Sequence, residues 1–154
     1  MRTLFGRLAL LAGTALLAPG SAHAELLRAE FKLPGMDCTY CNGAMSGAVK
    51  KTDGVEAVDV APEKGTAVIR LKADNKVTLA QLRRIIKSVG YDAKDATVTA
   101  RGRFTEAGTR FDLLNGTVLQ LAAPRPGSVD AIVEITGVVK AEKDAEILTV
   151  ASVR

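Results

Sequence analysis

Cysteine occurs twice in this 154-residue chain, in the run Gly35-Met36-Asp37-Cys38-Thr39-Tyr40-Cys41. Two thiols at that spacing admit two chemistries: paired thiolates can coordinate a soft metal ion, or the pair can cycle between dithiol and disulfide. A purely structural staple gains little, because so short a loop hardly constrains the unfolded chain. The single histidine, His23, belongs to an N-terminal segment expected to be removed. Any metal must therefore rely on Cys38, Cys41 and oxygen donors.

That N-terminal segment has three parts. Met1 to Arg7 is basic, Leu8 to Ala18 is apolar, and Pro19-Gly20-Ser21-Ala22-His23-Ala24 ends in small residues at the positions a signal peptidase requires. This is the pattern of a secretory signal; the apolar run falls short of the ~20 residues that span a bilayer. Cleavage after Ala24 predicts a signal peptide over 1–24 and an exported, periplasmic protein starting at Glu25. Loss of Arg2 and Arg7 lowers the net charge from +4 to +2, too little and too dispersed to indicate nucleic-acid binding. The mature chain, about 130 residues, suits one domain or two small ones and contains no further run long enough to cross a membrane.

The elements that must position the cysteines follow from periodicity. Leu27, Ala29, Phe31 and Leu33 alternate with polar residues, which predicts a half-buried strand ended by Pro34-Gly35. From Tyr40 to about Lys51 the period becomes helical, with Cys41, Ala44, Met45, Ala48 and Val49 on one stripe. Val55 to Val60 and Thr66 to Lys72 read as strands around the turn Pro62-Glu63-Lys64-Gly65. A second helix is marked by Thr78 as cap, Gln81 three residues on, the stripe Leu79, Leu82, Ile86 and Val89, and Gly90 as stop. Ala96 to Ala100 makes a fourth strand. This order is α+β, the ferredoxin-like βαββαβ pattern: a four-stranded antiparallel sheet with two helices on one face.

Beyond Ala100 the helical period disappears. Short apolar stretches over Thr99–Thr105, Arg110–Leu114, Thr117–Leu121, Ala131–Lys140 and Ala145–Val153 are separated by Asn115-Gly116 and Pro124-Arg125-Pro126-Gly127. About five short strands in this length predict a small all-β module of the OB or SH3-like kind. The chain is thus divided into residues 25–100 and 101–154, although the fourth strand can run directly into the first strand of the second module.

The Gly-Met-Asp-Cys-Thr-Tyr-Cys stretch resembles the G-M-x-C-x-x-C signature of heavy-metal-associated (HMA) domains, which include copper chaperones and periplasmic mercuric-ion-binding proteins. The resemblance extends from Leu27 to Val98 and includes Val89-Gly90-Tyr91, similar to the family's second-helix exit. It implies that Cys38 and Cys41 are the metal thiolates, that Met36 is buried beneath the loop, and that Tyr91 lies near it, either shielding the metal or simply packing. Two thiolates at a helix N-terminus suit Cu(I) or Hg(II). Asp37 is either an additional oxygen ligand favouring a divalent ion such as Zn(II) or an exposed loop acid. Cu(I) leads on family frequency.

The function expected is non-enzymatic: an exported protein that captures a soft ion and passes it to a membrane metal transporter or an exported metalloprotein. The alternative is a periplasmic thiol–disulfide redox protein using the same pair, although the element order is not the thioredoxin pattern and tryptophan is absent. In a third reading the β-module is the working part of a structural protein and the metal site is vestigial. With no histidine after Ala24 and no phosphate-binding loop, hydrolytic and nucleotide chemistry find no support. Arg83-Arg84 and Glu142-Lys143-Asp144 read as solvated surface.

Overall fold

The strands and helices expected ahead of Ala100 form in that order. The computed structural model describes residues 25–36, 39–93, 95–113, 115–125, 131–143 and 145–154. Strand β1 (Leu26–Lys32), helix α1 (Thr39–Lys50), strands β2 (Val55–Ala61) and β3 (Thr66–Leu71), helix α2 (Leu79–Ser88) and strand β4 (Asp95–Thr105) make the βαββαβ unit. Its sheet has the order β2-β3-β1-β4, every pairing antiparallel. Met45 and Val49 of α1 and Leu79, Leu82 and Ile86 of α2 are buried in one core with Ala29, Phe31, Ile69 and Val98 of the sheet.

Two expected positions shift. A bulge between Leu26 and Arg28, where β1 pairs with β4, changes the strand's phase, so Leu26 is buried and Leu27 only half-buried. On α1, Ala44 is exposed and, among the described side chains of the expected stripe, Met45 and Val49 are buried and Ala48 half-buried.

After β4 come β5 (Arg110–Asp112), β6 (Val118–Leu121), β7 (Val133–Ala141) and β8 (Glu146–Val153). Part of the turn expected at Pro124–Gly127 lies outside the described residues. The pairing closes on itself: β4 with β5, β5 with β6, β6 parallel with β8, β8 with β7, and β7 with β4. The result is a five-strand barrel.

One strand serves both parts. Along β4, Ala96, Val98, Ala100, Gly102 and Phe104 all point inward. β7 follows one edge of β4 from Asp95 to Gly102; the other edge is taken by β1 up to Ala100 and by β5 from Arg103 to Thr105. The face covered by the helices therefore continues into the barrel. Phe104, Phe111, Leu119, Ile135 and Leu148 of the barrel belong to the same buried cluster as the helices, with Phe104 and Phe111 edge to face at 5.1 Å between centroids. Asn115, in the β5–β6 turn, donates to the Val77 carbonyl just ahead of α2 at 3.0 Å, a further tie between the two halves.

Candidate metal centre

The chain reaches the cysteines through a tight turn. Met36 N–H donates to the Leu33 carbonyl at 3.3 Å, which makes Leu33-Pro34-Gly35-Met36 a β-turn. Proline in second place and glycine at φ +79° in third fit the type II form, which requires a positive φ there. The turn directs Met36 into the core, where it is 2% exposed. Leu33 N–H also donates to the Gly65 carbonyl at 2.7 Å, tying this approach to the β2–β3 turn. Met36 shares a surface cavity of about 390 Å³ with Pro62 and Lys64 of that turn.

Asp37 and Cys38 lie outside the described residues. Cys41 belongs to the first turn of α1, whose backbone starts at Thr39. Unsatisfied N–H groups and the positive dipole end at such a helix start lower a thiol pKa and favour thiolate. Among the described residues, no group of three or more His, Cys, Asp or Glu side chains is arranged to hold a metal ion.

Tyr91 is placed by the end of α2. The Thr78 hydroxyl accepts from Gln81 N–H at 3.1 Å and starts the helix. At the other end Gly90 takes φ +95°; its N–H reaches the Lys87 carbonyl at 3.0 Å and that of Tyr91 reaches Ile86 at 3.2 Å. These two bonds form a Schellman stop. Tyr91 is left half-buried against the core, and the next residue, Asp92, lines a cavity of about 410 Å³ with Lys32, Pro34 and Asp95. The α2 exit thus flanks the chain leading into the cysteine loop.

Arg83 overturns one expectation. It is not solvated surface: its side chain is 12% exposed and ion-paired with Glu146 of β8, itself 18% exposed. Its Nε donates to the Ala93 carbonyl at 3.1 Å and its Nη2 to the Val139 carbonyl at 3.2 Å. The guanidinium carbon lies 6.0 Å from the centre of the Phe31 ring, within cation–π range. Burial, the largest cause, pushes the Glu146 carboxyl up against the opposing pull of Arg83. Burial likewise lowers Arg83, against Glu146 and Asp95. No local pattern announces this pair, because its members are 63 positions apart.

A family model described as the heavy-metal-associated domain matches residues 30–92. The copper chaperone CopZ of Staphylococcus saprophyticus is 36% identical over 63 residues, which cover 41% of this chain and 91% of that protein. This chain belongs to the heavy-metal-associated domain family. The mercuric transport protein periplasmic component of Shigella flexneri is 34% identical over 91 residues, covering 59% of this chain and 93% of that protein. Among solved structures, oxidized MerP from Ralstonia metallidurans CH34 is 28% identical and covers 49% of this chain and 96% of that one, with a TM-score of 0.39. The heavy-metal-associated match ends just before β4, so the barrel lies beyond it.

Proposed function

We propose that this protein is a non-enzymatic, exported carrier that holds one soft metal ion between the Cys38 and Cys41 thiolates and hands it to a partner. The observation that carries this reading is the C-x-x-C spacing, with Cys41 in the first turn of α1, inside the heavy-metal-associated stretch. Two sulfurs on a loop favour linear coordination, the geometry of Cu(I) and Hg(II). The relatives include a copper chaperone and a mercuric transport component. Cu(I) is the first choice and Hg(II) the second; Zn(II) becomes competitive if Asp37 supplies an oxygen. An open two-sulfur site suits transfer, since an incoming thiolate adds before an outgoing one leaves. The receiving partner is a membrane metal transporter or an exported metalloprotein. For the barrel, the five-strand closure with one parallel pairing, β6 to β8, supports the OB-like member of the expected pair.

Anaerobic titration of the reduced chain with Cu(I), Hg(II) and Zn(II) against competing chelators tests the carrier. One-to-one binding lost in Cys38→Ser/Cys41→Ser is expected, with Zn(II) weakest. Absence of cysteine-dependent binding to all three ions refutes the reading. Export is tested separately by the N-terminal residue of protein recovered from a periplasmic extract, expected to be Glu25.

A further inference from the structure

The barrel reaches the metal end of the molecule through chain direction. β1 runs toward the cysteine loop; β4 is antiparallel to it and starts at that end with Asp95. β7 is antiparallel to β4, with Asp95 opposite Lys140, so β7 ends there and β8 begins there. This brings Glu146, the first residue of β8, to Arg83 on α2.

Arg83 joins these elements at one guanidinium. It bonds the Ala93 carbonyl in the α2 exit, the Val139 carbonyl in β7 and the Glu146 carboxylate in β8. Ala93 follows Tyr91 and Asp92 in the segment that borders the cavity beside Pro34, and Pro34 leads into the cysteine loop. Tyr91 to Ala93 are not themselves part of a helix or strand, so bonds such as the one from Arg83 restrain them. Burial opposes ionisation of both partners more than their attraction favours it. Such a pair is weak evidence for added stability; its geometry nevertheless fixes where the two partners sit.

We propose that Arg83 is a positioning residue through which the barrel holds the Gly90–Ala93 segment beside Pro34, on the approach to the cysteines, and so slows release of the bound ion. This rests on the carrier function proposed above. A restrained segment on the approach to the cysteines has less freedom to lose when the ion is held, and loosening it favours release.

The test uses the full mature chain as wild type, Arg83→Met, Glu146→Gln, the double variant, and Leu119→Ala. The last empties a buried position in β6 without touching Arg83. In the metal-free proteins, amide exchange at Tyr91–Ala93 should rise about tenfold in the Arg83 and Glu146 variants. After loading with Cu(I), release to a competing chelator, at a temperature where all variants are folded, should rise about three- to tenfold. The double variant should add little to the singles, and Leu119→Ala should release at the wild-type rate. Unchanged release in both single variants, or equal acceleration by Leu119→Ala, overturns the positioning role. If the wild type fails to bind Cu(I), the carrier function is what fails; exchange at Tyr91–Ala93 then decides whether Arg83 orders that segment.

Discussion

Replacing Ile135 with alanine tests whether the barrel and the metal-binding half share one cooperative core. Ile135 is 0% exposed, lies on β7 opposite Ala100 of β4, and belongs to the buried cluster that includes Met45, Leu82 and Ile86 of the helices. Truncating a buried isoleucine to alanine costs about 2–5 kcal/mol from lost burial and residual cavity. With a urea dependence of about 2 kcal/mol/M, a mid-range loss of 3 kcal/mol moves the midpoint down by about 1.5 M. The chain supplies its own reporter. Its two tyrosines, Tyr40 and Tyr91, are both in the metal-binding half, and there is no tryptophan. Tyrosine fluorescence therefore sees that half alone, while far-UV circular dichroism sees the whole chain. One shared core requires the fluorescence and dichroism midpoints to fall together in Ile135→Ala. A fluorescence midpoint that stays at the wild-type value while dichroism splits into two transitions would refute the shared core.

Other perturbations follow from the same geometry. Thr78→Ala removes the hydroxyl that accepts from Gln81 N–H at the start of α2 and should lower stability by about 1 kcal/mol, read as a urea midpoint shift. At Gly102 a Cβ would meet the Asp112 carbonyl oxygen and the Phe111 ring, each at 2.6 Å. Gly102→Ala should therefore cost about 1–3 kcal/mol through forced repacking, and a midpoint within error of wild type would refute that crowding. Glu146 faces Arg83 from α2, and Asp95 of β4 acts on the same guanidinium. Because burial raises the folded-state pKa of Glu146 above its ordinary 4.5, its contribution favours the folded state below that pH and is lost as pH rises through the raised value. The stability of wild type minus that of Glu146→Gln should thus fall as pH is increased upward from 4.5; a constant or rising difference contradicts the sign.

The legible parts of the fold were those with short-range causes. Thr78, Gln81 and Gly90 mark both ends of α2 by local hydrogen bonding and a single positive φ, and the Leu33–Met36 turn follows from a Pro-Gly pair. Strict alternation failed at Leu27 because a bulge is an extra residue in a pairing, set by the partner strand. The sequence allowed the strand at Ala96–Ala100 to run into the one at Thr99–Thr105, as β4 does, but a strand that changes neighbours midway has no composition signal to show which strands flank it. Arg83 was misread for another reason: four residues after Leu79 and three before Ile86 it lies on the apolar stripe of α2, but the pair Arg83-Arg84 reads as exposed charge, and its carboxylate partner arrives only when the barrel closes. For the candidate metal site, the residue types and their spacing admitted metal binding or redox cycling, and the resemblance to heavy-metal-associated domains favoured the first; the Schellman stop placing Tyr91 and the tie of Ala93 through Arg83 to the barrel depend on tertiary structure.

Sharing β4 has a consequence for how a partner can approach. A βαββαβ sheet of order β2-β3-β1-β4 would have two open edges, at β2 and at β4, each able to add a strand from another chain. Here β7 occupies the β4 edge from Asp95 to Gly102. Among the described strands β2 is left at the sheet's other end, and it carries exposed Glu56 and Asp59, charges that oppose edge-to-edge pairing. Strand addition at the β4 edge is therefore closed to a partner. The loop end is a different matter: the cysteine loop, the β2–β3 turn, the α2 exit and the β7–β8 turn all lie there by chain direction. An approach along that end would meet the β7–β8 turn of the barrel as well as the heavy-metal-associated half.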